Sequence, residues 1–155
     1  MNLQLCNEPD NDEAIAFYEQ KHYWLSNFSS FQVFYSGRLW PTSEHAYQAM
    51  KLEDPLFQEI VRNQTSAHAA MTLARTLPRR SDWDEVKIGI MEEICRAKLE
   101  QHPYILKSLM KTGNRELIEA SPIDSFWGWG EDKNGRNELG KVWMRLREEK
   151  FAQMV

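Results

Sequence analysis

The chain has 155 residues, 42% of them apolar, which is enough for one domain with a buried core and too few for two comfortable ones. Its formal net charge of −4 excludes an overall positive field of the kind that gathers nucleic acid or anionic membrane, although a local basic patch remains compatible with it. No run approaches the roughly 20 apolar residues of a membrane span, and the first twelve residues lack a basic segment followed by an apolar one, so a soluble, cytoplasmic protein is expected.

In chain order, residues 1–12 are polar and acidic and read as an irregular lead-in, followed by a single domain over residues 13–155. Residues 14–18 form a short apolar run that fits a strand. Tyr23-Trp24-Leu25-Ser26-Asn27-Phe28 is too aromatic for a solvated loop and too irregular for a clean element, so burial is expected. Residues 31–40 alternate loosely around Ser36-Gly37, a hairpin signal. Pro41 and the capping hydroxyls of Thr42 or Ser43 then place a helix start within a residue or two of Glu44. On that helix Glu44, Gln48 and Lys51, at i, i+4 and i+7, share a face with roughly 10 Å of rise between the charged ends.

Asp54-Pro55 reads as the cap and first residue of a helix over residues 55–63. Thr65 or Ser66 caps another that Pro78 stops after Leu77. Asp82-Trp83-Asp84-Glu85 has the capping-box pattern, with Val86, Ile90, Ile94 and Ala97 as the apolar stripe of a helix over residues 83–101. Pro103 starts a further helix that Gly113 ends, and residues 115–119 suit a strand. Residues 121–137, with Pro122, Gly128, Gly130 and Gly135, cannot be regular, and a last helix follows with Leu139, Val142, Trp143 and Leu146 as its stripe. The sum is an α+β fold, a single compact domain, mainly helical with a small N-terminal β-sheet.

Phosphate-loop, dinucleotide-fold, zinc-helix and nucleophile-elbow motifs are absent. His22, His45, His68 and His102 are scattered, and Cys6 and Cys95 lack metal spacing, so no metal site is expected and Cys95 reads as a small core residue. His45 reads first as a satisfied side chain of the helix's first turn and second as a proton carrier. Two stretches carry ligand chemistry. In residues 124–140, Trp127 and Trp129 flank Gly128, and a polar, glycine-rich loop with Lys133 and Arg136 runs into a helix N-terminus suited to phosphate. The competing reading makes the two indoles core plugs. Arg79-Arg80 beside the start of another helix could meet phosphate or could be a solvated turn.

Taken together, Trp40-Pro41-Thr42-Ser43-Glu44-His45 with Gln48-Ala49 and Lys51, Arg80-x-Asp82-Trp83 with Val86-Lys87, Trp127-Gly128-x-Gly130, Gly135-x-Asn137-x-Leu139-Gly140 and Met144-x-Leu146-Arg147-Glu148 resemble the NADAR superfamily. Within it the chain is similar to the compact YbiA-like members, the match running over about residues 15–148. One departure is Trp129, where the YbiA-like pattern carries Asp. The resemblance implies an N-glycosidase that breaks the bond between ribose C1′ and a base or amine nitrogen in phosphorylated early riboflavin-pathway intermediates. Other members are implied to remove ADP-ribose from guanine. It also implies catalytic Glu44 and Lys51, and substrate contacts from Asn27, Trp40, Arg80, Trp83, Asp124, Trp127, Gly128 and Asn137.

Breaking such a bond calls for a nucleophile or anion and a proton manager, types that Glu44 and Lys51 supply. Neutral Lys51 could form a Schiff base with ribose, or Glu44 could activate water directly. A non-catalytic reader of ADP-ribose would share the aromatic loop but would not need that pair. No cofactor is implied. The expected partner is a small ribosylated, phosphorylated molecule, with ADP-ribosylated nucleic acid as the alternative.

Overall fold

The computed structural model describes residues 10–155, so Cys6 and most of the lead-in lie outside the described residues. In order the elements are β1 (Ala14–Phe17), a 3-10 turn (Tyr23–Leu25), β2 (Val33–Tyr35), β3 (Arg38–Trp40), α1 (Ser43–Met50), α2 (Pro55–Arg62), α3 (Ala67–Ala74), α4 (Trp83–Gln101), α5 (Pro103–Lys111), β4 (Glu116–Glu119) and α6 (Glu138–Gln153). The architecture is α+β and mainly helical, as expected. Its strands form two small sheets. β2 and β3 pair antiparallel, and β1 pairs parallel with β4, Ala14 lying opposite Glu116. Two compact units result, one of Asn27–His102 and one of the residues up to Ser26 with Pro103–Val155.

The contiguous unit is built around α1, which packs on α2, α3, α4 and the hairpin. Every residue from Ser43 to Ala49 is buried, and Ala46 and Ala49 let neighbouring helices approach closely. The hairpin turns through Ser36 and Gly37, with φ of 51° and 78°, the two positive values of a tight two-residue connection. Thr42, Asp54 and Ser66 accept from His45, Leu56 and Ala69 N–H as the caps of α1, α2 and α3. α3 stops at Ala74, three residues short of the expected end.

The capping box expected at α4 does not form. Asp82 makes no side-chain cap because Arg80 takes both of its carboxylate oxygens, at 2.6 and 3.0 Å. The buried face of α4 is also rotated from the expected stripe. Trp83, Met91, Ile94, Cys95, Lys98 and Leu99 are buried, while Val86, Ile90 and Ala97 are only partly so. Lys98 hid that face, because a lysine in the middle of a row reads as solvent-facing.

Lys98 is fully buried, donates from Nζ to Ser29 Oγ at 3.0 Å and lies over the Phe31 ring. Burial pushes its pKa down from 10.5 to about 8. Between those values the unfolded chain holds more protons than the folded one, so stability rises with pH there, and below about 8 the full cost is present. Lys98→Met is therefore expected to remove a cost of up to about 3 kcal/mol at neutral pH, less what Ser29, the Phe31 ring and the other partners of Lys98 lose with it. It should also flatten the rise toward about pH 10, measured by denaturant unfolding. A less stable variant with an unchanged pH dependence would contradict this account.

In the discontinuous unit α6 packs on β4, with Leu139, Val142, Trp143 and Leu146 buried as expected. Trp143 Nε1 donates to Leu25 O at 3.1 Å, which anchors the aromatic stretch after β1; Leu25 is buried, but Tyr23 stays 39% exposed. Gly113, with φ of 64°, follows α5 as anticipated.

Candidate functional site

The chain immediately before α1 is fixed from both sides. Asn27 O accepts from Glu44 N at 3.0 Å and from Ser43 Oγ at 3.2 Å, and Asn27 Oδ1 accepts from Ser43 Oγ at 3.1 Å. Trp40, wholly buried, donates from Nε1 to Tyr35 O. Asn27 and Trp40 thus hold α1 in place by bonds already made. His45 is the satisfied histidine of the first turn. Its Nδ1 pairs with Thr42 Oγ1 at 2.8 Å and its Nε2 with the Gln64 carbonyl at 3.0 Å, which requires N–H on Nε2. Burial also keeps its pKa below the ordinary value, favouring the neutral ring.

Glu44 is 6% exposed, and its Oε1 accepts from Gln48 Nε2 at 2.6 Å. The carboxylate takes the amide's donor end, and Gln48 Oε1 is left buried with no partner. A buried carbonyl without a donor is costly, so this atom is able to accept from an incoming N–H or O–H. Gln48 stood on the right helical face in the sequence, but only coordinates reveal its unmet acceptor.

Lys51 follows α1 as its C-cap, its backbone carbonyl held by Arg80 N–H at 2.7 Å. The ammonium lies 5.5 Å from the centre of the Tyr47 ring and has no carboxylate bonded to it among the described residues. Burial draws its pKa below 10.5; Glu44 pulls the other way, and Arg75, Arg79 and Lys87 add to the depression. Trp83 is buried, 5.2 Å from Tyr47 ring to ring, and backs the same surface. Arg79 and Lys87 both reach Asp84, at 3.0 and 3.2 Å, and Arg80 is engaged by Asp82. One unit therefore brings together Glu44, Gln48, Lys51 and a cationic surround.

Asp124, Trp127, Gly128 and Asn137 belong to the other unit, in a loop bound mostly to itself. Asp124 Oδ1 accepts from Phe126 and Trp127 N–H at 3.0 and 2.8 Å. Asn137 donates to Leu117 O and accepts from Glu119 N, both at 2.9 Å, so its amide completes the free edge of β4. A Cβ at Gly128 would come within 2.7 Å of Glu119 O, so this glycine serves backbone packing. The N–H groups of Glu138 and Leu139 donate to Phe126 O and Trp127 O, each at 3.0 Å, which corrects the expectation of free donors for phosphate at the start of α6. Trp129 is 8% exposed and behaves as a plug, whereas Trp127 is half-buried, its ring 4.8 Å from that of Phe126 in a T-shaped pair.

Among the described residues no three His, Cys, Asp or Glu side chains are grouped to hold a metal ion, and no helix is long and apolar enough to cross a membrane. The NADAR domain family model matches residues 16–149, across both units. The chain belongs to the NADAR family. An N-glycosidase YbiA of Escherichia coli is 36% identical over 142 residues, covering 89% of each chain, and an N-glycosidase of Nostoc punctiforme is 40% identical, covering 88% of this chain and 92% of that one. A riboflavin biosynthesis protein of Vibrio vulnificus is 41% identical over 142 residues, and the NADAR chain described here spans 39% of its length. The NMR structure of E. coli YbiA superposes with a TM-score of 0.85 at 35% identity, covering 94% of this chain and 89% of that one.

Proposed function

We propose that this chain, an N-glycosidase of the NADAR family, hydrolyses the bond between ribose C1′ and an amine or base nitrogen in phosphorylated early riboflavin-pathway intermediates. The name of the Vibrio relative supports the pathway. The observation that carries the chemistry is Lys51, half-buried, without a bonded carboxylate, beside a buried Glu44–Gln48 pair. In this reading the neutral Lys51 amine attacks C1′, Glu44 takes the proton the amine loses, and that proton goes to the departing nitrogen. The resulting glycosylamine opens as the C1′–O4′ bond breaks, the amine proton passing to O4′, and ribose stays on Lys51 as a Schiff base until water adds to C1′, the C1′–N bond breaks and sugar and lysine separate. Gln48 Oε1 accepts from a ribose hydroxyl, and Arg75 and Arg79 face the phosphate.

The test is to incubate the protein with a ribosylaminopyrimidine 5′-phosphate and, separately, with ADP-ribosylated guanosine, and to measure sugar release. Release from the first substrate supports the proposal; release from the second alone would move the assignment to ADP-ribosyl-guanine hydrolysis. The pH profile tests the lysine independently. Only the neutral amine attacks, so kcat/KM should climb toward alkaline pH with an apparent pKa below 10.5. Arg75→Ala removes a cation that depresses Lys51, and the climb should shift to higher pH. A profile flat through the alkaline range would count against an attacking amine.

A further inference from the structure

At the start of β4, within the discontinuous unit, lies a cavity of about 190 Å³ bounded by Ile15, Trp24, Ser108, Lys111, Thr112 and Arg115. Behind Thr112 is Arg147, only 6% exposed, whose Nη1 donates to Thr112 Oγ1 at 2.8 Å. Lys111, Arg115 and Arg147 have no carboxylate in salt-bridge range among the described residues, in a chain whose net charge is −4. A nearby carboxylate, Asp10, is already held by Lys21 at 3.0 Å and by His22, which also lines the cavity, at 2.6 Å. Helix capping accounts for part of this. Arg115 donates from Nε to Thr112 O and from Nη2 to Lys111 O, closing the end of α5. Lys111, exposed in the last turn of α5, is favoured by the same carbonyl end, but nothing there accounts for a guanidinium buried at Arg147, which burial and then Arg115 both press toward losing its proton.

Cations without carboxylate partners around a cavity, with the Ser108 hydroxyl between them and an indole on the wall, describe a host for an oxyanion carrying a small organic group. We propose that this cavity binds a phosphate monoester of a small molecule. The phosphate meets Lys111, Arg115 and the Ser108 hydroxyl, and the ester group packs on Trp24. The site stands at the opposite end of β4 from the glycine-rich loop, roughly 13 Å along the strand, and uses none of the residues assigned to glycoside cleavage.

The experiment is a titration of the isotopically labelled protein with glycerol 3-phosphate, with inorganic phosphate and with chloride at equal ionic strength, followed by amide and indole N–H shifts. Glycerol 3-phosphate should give saturable shifts at Ser108, Thr112 and the Trp24 indole. Lys111 is exposed, so Lys111→Gln should keep the folded spectrum and weaken binding at least about tenfold, and Arg115→Gln similarly. Glu44→Gln should bind as the parent does, which keeps this result separate from the catalytic assignment. Shifts that do not saturate, that chloride reproduces, or that persist unchanged in Lys111→Gln overturn the proposal. Saturation by inorganic phosphate with the ester excluded overturns the ester assignment.

Discussion

Lys51→Arg is expected to lower kcat by at least about a thousandfold while leaving KM within a few fold. Arginine keeps the positive charge beside Tyr47, Arg75 and Arg79 but carries a guanidinium that stays protonated, so it can bind phosphate and cannot attack C1′. The covalent route adds a chemical requirement. Borohydride present during turnover should reduce the Schiff base and leave a ribose-derived adduct, which peptide mass spectrometry should place on Lys51. An active Lys51→Arg variant with no adduct in the parent would end the covalent route and make Glu44-activated water the better account. Glu44→Gln slows both routes, so it confirms the site without choosing between them.

The largest structural effect is expected at Gly140. A Cβ there would sit 2.0 Å from the Leu117 carbonyl and 2.5 Å from both ends of the Asn137 amide, which itself bonds the edge of β4. Backbone on one side and a doubly bonded side chain on the other cannot yield cheaply. Gly140→Ala should cost at least about 3 kcal/mol, lowering Tm by roughly 10 °C or preventing folding. Gly89 is the control: it lies in α4, exposed, with nothing within 4 Å of an added Cβ. Gly89→Ala should stabilise by about 0.5–1 kcal/mol. A parent-like melting curve for Gly140→Ala would show that α6 can slide on β4, against the packing described above.

What the sequence made legible was local. Caps at Thr42, Asp54 and Ser66, the Ser36-Gly37 turn and the stripe of α6 each depend on residues a few positions apart, and each could be read by eye. Asp82 shows the limit, since its capping pattern was sound until Arg80, two residues earlier, offered the carboxylate a stronger partner. The β1–β4 pairing, the burial of Lys98 and the cationic cavity depend on residues brought from far along the chain, and no window of sequence contains them. For the site, helical spacing put Glu44, Gln48 and Lys51 together. The resemblance to the NADAR superfamily marked Asn137 and Gly128 for substrate, yet their visible bonds and close contacts are to the protein's own backbone.

The pairing of β1 with β4 also bears on how the molecule is made. Asn27–His102 is one uninterrupted stretch of chain, so it can reach its final packing while the ribosome is still extending the peptide. The other unit cannot, because Ala14 must wait for Glu116 to be synthesised, and closing so long a loop is entropically slow. During that interval β1, which carries the finally buried Phe17, has an open parallel edge without its partner strand. Synthesis therefore has a vulnerable window after the lysine-bearing unit has formed and before residues 116–119 emerge, and this is the stage at which a chaperone would have most to hold.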